Sequence, residues 1–131
     1  MREDDVRALV QYRLEQAQTA LDDAAFLLNG RRSPQSVINR AYYAMYYAAI
    51  ALLQSVGEVT RRHTGAVSLF DTEFVHNGVF PKELSRSFHK AFELRQLHDY
   101  RATQPASRGK ASEALENAIE FVDAVRKHLT A

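Results

Sequence analysis

Apolar residues recur at helical spacing along almost the whole chain. Val6, Leu9, Val10, Leu14, Ala17, Leu21, Ala24, Ala25 and Leu28 fall on one stripe. They predict a first helix from about Asp5 to Asn29. Glu3, Asp4 and Asp5 sit where acids complement the helix dipole, and Asn29-Gly30 is a stop signal. Ser33-Pro34 opens a second helix, with Ser33 as the expected cap and Pro34 at the first helical position. This helix should run to about Ser55. Ile38, Tyr42, Met45, Ala49, Leu52 and Leu53 mark one face, while Tyr43, Tyr47 and Ile50 populate the opposite one. A helix apolar on both sides is buried on both sides, so this one is expected at the centre.

A third helix is expected from about Thr64 to His76, with Val67, Phe70, Phe74 and Val75 inward and Asn77-Gly78 as its stop. A fourth should run from near Pro81 to about Tyr100, burying Leu84, Phe88, Ala91 and Phe92. Arg101 to Gly109, with Pro105 inside, reads as a loop. Leu115, Ala118, Phe121, Val122, Val125 and Leu129 mark a fifth helix. Val, Ile and Thr never form alternating runs bounded by turns, so no strand is expected. Five helices with short connections predict an all-α antiparallel bundle.

Composition narrows this little. The chain has 131 residues, 46% hydrophobic and 25% charged, which fits one compact domain over residues 1–131. A chain this short has a modest stability margin, which a partner subunit would help. It contains no cysteine, which excludes disulfides and thiolate chemistry and suits a reducing cytoplasm. No apolar run approaches the roughly 20 residues needed to span a bilayer, so no membrane role is expected. The acidic start shows no hydrophobic signal core, so no export signal is expected. The net charge of +1 means that any RNA contact has to be local.

The fourth helix carries a local conflict. At about 100° per residue, Phe88, Phe92, Arg95 and Asp99 lie within roughly 60° of one another. Two charges thus continue an inward aromatic stripe. In one reading they form an internal ion pair, four residues apart, that closes the helix end. In the other they belong to a polar pocket that handles phosphate. Arg95 would bind it bidentately, His98 would move protons, and Tyr100 would offer a hydroxyl. Arg40 lies in the row of Tyr43 and Tyr47. Either its stem packs on Tyr43, or Arg40 and Tyr43 line the same pocket as Arg95. The tyrosine run from Tyr42 to Tyr47 reads mainly as core, although buried tyrosine hydroxyls usually find partners. His63 is either an exposed helix-end residue or, with Arg61 and Arg62, part of a basic approach surface. Arg31, Arg32, Arg61, Arg62 and Arg101 would form one patch if their loops converge. None of the five histidines shows metal-ligand spacing, so neither a metal nor a cofactor is expected.

Four segments carry a resemblance. Ser36-Val-Ile-Asn-Arg-Ala-Tyr-Tyr-Ala-Met-Tyr-Tyr-Ala-Ala49 resembles the second-helix signature of HEPN proteins of the UPF0332 type. Arg62-His63-Thr64-Gly65-Ala66-Val67, Phe74-Val75-His76-Asn77-Gly78 and Arg95-Gln-Leu-His-Asp-Tyr100 resemble later family stretches, in order. The resemblance implies a HEPN bundle, usually a homodimer. Such proteins are often paired with a minimal nucleotidyltransferase in a toxin–antitoxin module. Many are metal-independent endoribonucleases. Their mark is an Arg followed about four to six residues later by a His, with two copies meeting in a shared cleft. In some pairs a nearby Tyr is modified with AMP.

On this basis Arg95, His98, Asp99 and Tyr100 are the expected catalytic group. Arg40, Tyr43, Arg62 and His63 are the expected substrate-binding group. The chain departs from the pattern in one respect. His98 follows Arg95 with only two residues between, and Tyr100 stands where a four-residue spacer would put the His. The departure bears on cleavage more than on fold or pairing. Two further readings therefore stay open: a non-enzymatic module that binds a nucleotidyltransferase or nucleotide, and a purely structural helical dimerisation domain.

Overall fold

The computed structural model describes residues 2–100 and 106–130, without the side chains of 97–100. It contains five α-helices: α1 (Glu3–Asn29), α2 (Pro34–Ser55), α3 (His63–Phe70), α4 (Lys82–Tyr100) and α5 (Arg108–Thr130). Helix α2 touches all four others. Its two-sided apolar pattern is the cause. Val37, Ile38, Ala41, Tyr42, Ala44, Met45, Ala48 and Ala49 all lie inside, and so do Ile50 to Leu53.

Alanines fill much of the seam between α1 and α2. Ala17 and Ala24 on α1, and Ala41, Ala44 and Ala48 on α2, are fully buried. Side chains this small let two backbones approach closely while still removing apolar surface from water. At the other end of the core the aromatics take over. Phe70, Phe88 and Phe121 have no exposed surface, and their ring centroids lie 5.1 to 5.7 Å apart. Phe80, which periodicity did not single out, joins Phe70 at 5.8 Å and Phe74 at 6.0 Å.

Three expectations about local structure change. The third helix is not uniform to His76. It starts at His63 and opens after Phe70 into a wide π-helical turn over Asp71–Val75, closed by His76 N–H donating to the Asp71 carbonyl at 2.8 Å. Phe70 and Phe74 stay in the core on either side of this turn. The turn also presents Asp71 to α4, where Ser85 Oγ donates to Oδ1 at 2.6 Å and His89 Nε2 meets Oδ2 at 2.6 Å. Second, Ser33 makes no side-chain cap; its backbone carbonyl accepts from Ser36 and Val37 instead. Third, α5 begins at Arg108, inside the expected loop. The stop of α1 at Asn29-Gly30 falls where it is expected, and the chain then passes through the left-handed region at Arg31, with φ 55°.

Candidate functional site

The tyrosine run on α2 forms an aromatic shelf at the mouth of the bundle. Residues four apart share a face, so Tyr42 stacks on Tyr46 at 6.2 Å and Tyr43 meets Tyr47 at 5.9 Å. Tyr42 is the inner one, fully buried, with Phe88 at 6.2 Å and Phe92 at 5.9 Å. Tyr43, Tyr46 and Tyr47 are half-buried. His63, the first residue of α3, reaches into this group. Its ring stacks on Tyr46 at 4.3 Å, sits edge-on to Tyr43 at 5.6 Å, and holds the Tyr42 hydroxyl at Nδ1, 2.7 Å away.

Cations lie over the same rings. The Arg95 guanidinium carbon is 5.5 Å from the centre of Tyr42 and 5.3 Å from that of Tyr43. Arg40 lies 4.9 Å from the centre of Tyr43 and donates through Nε and Nη2 to Asn39 Oδ1 at 3.2 and 3.0 Å. Arg40 thus packs on Tyr43, and the same ring also carries Arg95. Such cation–π contacts contribute about 0.5–2 kcal/mol, more as water is excluded.

The electrostatics follow from burial. Burial pushes the Tyr42 hydroxyl well above the usual tyrosine range, opposed by the Arg95 charge. Burial also raises Tyr46, opposed by the Arg13 charge. His63 is pushed below its ordinary value, first by burial and then by Arg95. The ring is thus neutral at pH 7 and the hydroxyl is protonated. A consequence for stability follows. The unfolded chain binds a proton at His63 near the ordinary 6.5, while the folded chain binds it only at lower pH. Between the two values the unfolded state holds more protons, so stability rises with pH. The His63 contribution is fully present above the ordinary value and is lost as pH falls through the folded one. Urea midpoints at about pH 7.5 and about pH 5 should differ more in the wild type than in His63→Gln.

The sequence-selected residues divide into three sets. Arg40, Tyr43, His63 and Arg95 come together on the shelf. Arg62, like Arg61, is exposed, next to a turn in which its backbone N–H donates to Thr60 Oγ1 at 3.3 Å. The side chains of His98, Asp99 and Tyr100 lie outside the described residues, as does Arg101. His63 is neither exposed nor a cap, because Tyr42 draws its ring inward. Gly65 faces Thr60 Oγ1 so closely that a Cβ would collide with it. This glycine lets the turn before α3 fold tightly and fixes where His63 begins. No group of three or more metal-ligating side chains occurs among the described residues.

One residue escaped the sequence reading, and two, Tyr42 and Tyr46, were read mainly as core. Tyr42 is core and its hydroxyl finds a partner, as a buried tyrosine hydroxyl is expected to, but spacing does not show that the partner is His63. Arg13 on α1 lies within a turn of Leu9, Val10 and Leu14, and could have been flagged as Arg95 was, as a charge beside an apolar stripe. It is half-buried, donates through Nη1 to Gln16 Oε1 at 2.7 Å, and places its charge near Tyr46.

These features describe an all-helical bundle that holds cations and an imidazole on an aromatic shelf. The HEPN domain pattern matches residues 10–128, and the chain belongs to the HEPN family. A UPF0332 protein of Thermotoga maritima is 34% identical over 91% of this chain and 89% of its own length, which bears out the UPF0332-like resemblance. A Methanocaldococcus jannaschii protein named as a candidate toxin is 30% identical over 95% of this chain and 92% of its own. A second protein of that organism with the same kind of name is 28% identical over 88% of this chain and 78% of its own. A Thermus thermophilus protein of known crystal structure superposes with a TM-score of 0.75 at 22% identity, covering 90% of this chain and 96% of that one. At that identity the likeness shows the fold. Among the described residues no helix is long and apolar enough to cross a membrane.

Proposed function

We propose that the chain is the HEPN component of a toxin–antitoxin-like pair, partnered by a minimal nucleotidyltransferase, and that two copies form a cleft in which RNA is cut without a metal ion. Family membership and the two relatives named as candidate toxins support the module. The observation that carries the site is Arg95, seated over Tyr42 and Tyr43, rings that also pack on His63. A cation held in a partly dehydrated aromatic setting is preorganised for a phosphate and for the charge that develops on it. In this scheme Arg95 holds the scissile phosphate. His98 takes or returns the proton of the RNA 2′-hydroxyl, Asp99 orients its neighbours, and Tyr100 contacts phosphate or accepts the modification. Arg40 and Tyr43 line the path, with Arg62 at its edge.

The test is incubation of purified protein with RNA in EDTA, beside Arg95→Ala and His98→Ala. Cleavage by the wild type that disappears in both variants is the expected result. Equal residual cleavage in all three means contamination and sinks the nuclease assignment. A strictly monomeric protein at micromolar concentration removes the shared cleft. The short spacing from Arg95 to His98 favours a second reading, a non-enzymatic module that binds the nucleotidyltransferase or a nucleotide. Partner or nucleotide binding without cleavage would support it. An adjacent nucleotidyltransferase gene favours both readings over a purely structural dimerisation domain.

A further inference from the structure

We propose that His63 is a phosphate-binding residue of the Arg95 site: a neutral imidazole whose Nδ1 accepts the Tyr42 hydroxyl and whose Nε2–H donates to a phosphate oxygen. The inference rests on the reading that this site takes RNA phosphate, and adds to it a second, uncharged donor.

The argument starts from the hydroxyl. Tyr42 is fully buried, and leaving a buried hydroxyl unmet costs about 1–3 kcal/mol. Among the described residues its partner is His63 Nδ1, at 2.7 Å. The rings of Tyr43, Tyr46, Phe88 and Phe92 pack around it. A protonated phenol in such a shell donates to the imidazole nitrogen. A neutral imidazole carries one N–H, so when Nδ1 accepts, the proton is on Nε2.

The alternative states are worse. If His63 were charged, Nδ1 would also donate, and the Tyr42 hydroxyl would lose its acceptor among the described residues. A further cation would stand among rings that already carry Arg95 and Arg40. His63 also occupies the first turn of α3, where the positive end of the helix dipole opposes an imidazolium. The neighbouring guanidiniums and the helix dipole favour an anion beside the ring. The Thr60–Arg62 turn and the tight approach of Gly65 fix the residue that bears it. Stacking on Tyr46 at 4.3 Å sets the plane of the ring. The shelf thus holds one neutral donor in a set tautomer beside the Arg95 and Arg40 guanidiniums. His63 binds and positions; it moves no proton in this scheme, and that task stays with His98.

The experiment labels the histidines of the full chain with 15N and 13C and reads the His63 tautomer by NMR near neutral pH. A 2′-O-methyl oligoribonucleotide, which offers phosphates but no 2′-hydroxyl to attack, is then added to saturation. The expected result is an Nε2–H tautomer whose Nε2–H resonance shifts on binding. In Tyr42→Phe the tautomers should mix while the helical signal persists. Affinity should fall about tenfold in His63→Leu, the loss of one hydrogen bond to a charged group, and stay closer to wild type in His63→Gln, whose amide can replace the Nε2–H. An Nδ1–H tautomer in the wild type overturns the inference. So does an Nε2–H signal that ignores the bound oligonucleotide while Arg95→Ala abolishes binding; in that case the Arg95 site stands and His63 drops out. A wild type that binds no oligonucleotide overturns the site reading and this inference together. If His63→Leu does not fold, the tautomer and the ligand-induced shift in the unsubstituted protein decide alone.

Discussion

Phe88→Ala is expected to lower stability by about 3–5 kcal/mol, which is a large part of the roughly 5–15 kcal/mol that a domain of this kind possesses. Phe88 has no exposed surface. It meets Phe70 edge-on at 5.7 Å, Phe121 at 5.1 Å and Tyr42 in a stack at 6.2 Å. Truncation removes the transfer energy of the ring and leaves a cavity. The cavity walls are themselves rings, which close poorly over a void. The melting temperature should drop by on the order of 10 °C. Phe88→Leu, which keeps more of the volume, should lose clearly less. Phe92→Ala should also lose less, because Phe92 is half-buried. Urea unfolding with an unchanged slope and a lowered midpoint is the check. A loss below about 1.5 kcal/mol would mean that the aromatic cluster can repack, and would remove Phe88 as the support beneath Tyr42. This links the core to the site, since Tyr42 stacks on Phe88 from one side and orients His63 from another.

Much of the architecture was legible because burial leaves a periodic trace. The two-sided pattern of α2 announced a central helix, and the stripe shared by Phe88, Phe92 and Arg95 announced a charge facing rings. What stayed hidden was of another kind. The π-helical turn at Asp71–Val75 adds no apolar signature, because Phe70 and Phe74 keep helical spacing across it. Asn29-Gly30 marks the end of α1, but nothing in the pattern shows that the left-handed residue of the turn is Arg31. The His63–Tyr42 hydrogen bond joins residues 21 apart in sequence. Periodicity shows which side of a helix faces inward, but not which distant side chain waits there. A histidine next to two arginines reads as surface until the turn around Thr60 and Gly65 is seen to bring it in. The expected catalytic trio at 98–100 keeps the standing that the sequence and the family resemblance give it.

Arg95→Lys should leave stability within about 1 kcal/mol of wild type, since charge and stem remain, yet weaken oligonucleotide affinity about 10–100-fold. The reason is geometry. A guanidinium can lie flat on Tyr42 and Tyr43 and present a planar fork to phosphate, whereas an ammonium is a strongly hydrated point charge. Losing hydrogen bonds to a charged group costs about 1.5–3 kcal/mol, which gives the stated range. Salt dependence separates this from a plain loss of charge. Arg95→Lys keeps the cation, so the slope of log affinity against log salt should match wild type. Arg95→Ala should flatten that slope by about one unit. Arg40→Lys is the internal comparison: Arg40 lies over Tyr43 alone, whereas Arg95 lies over both Tyr42 and Tyr43, so the Arg40 change should cost less. If Arg95→Lys binds as tightly as wild type, the shelf supplies only a positive field. The aromatic seat beneath Arg95 would then be packing, and the case for a preorganised phosphate site would fail with it.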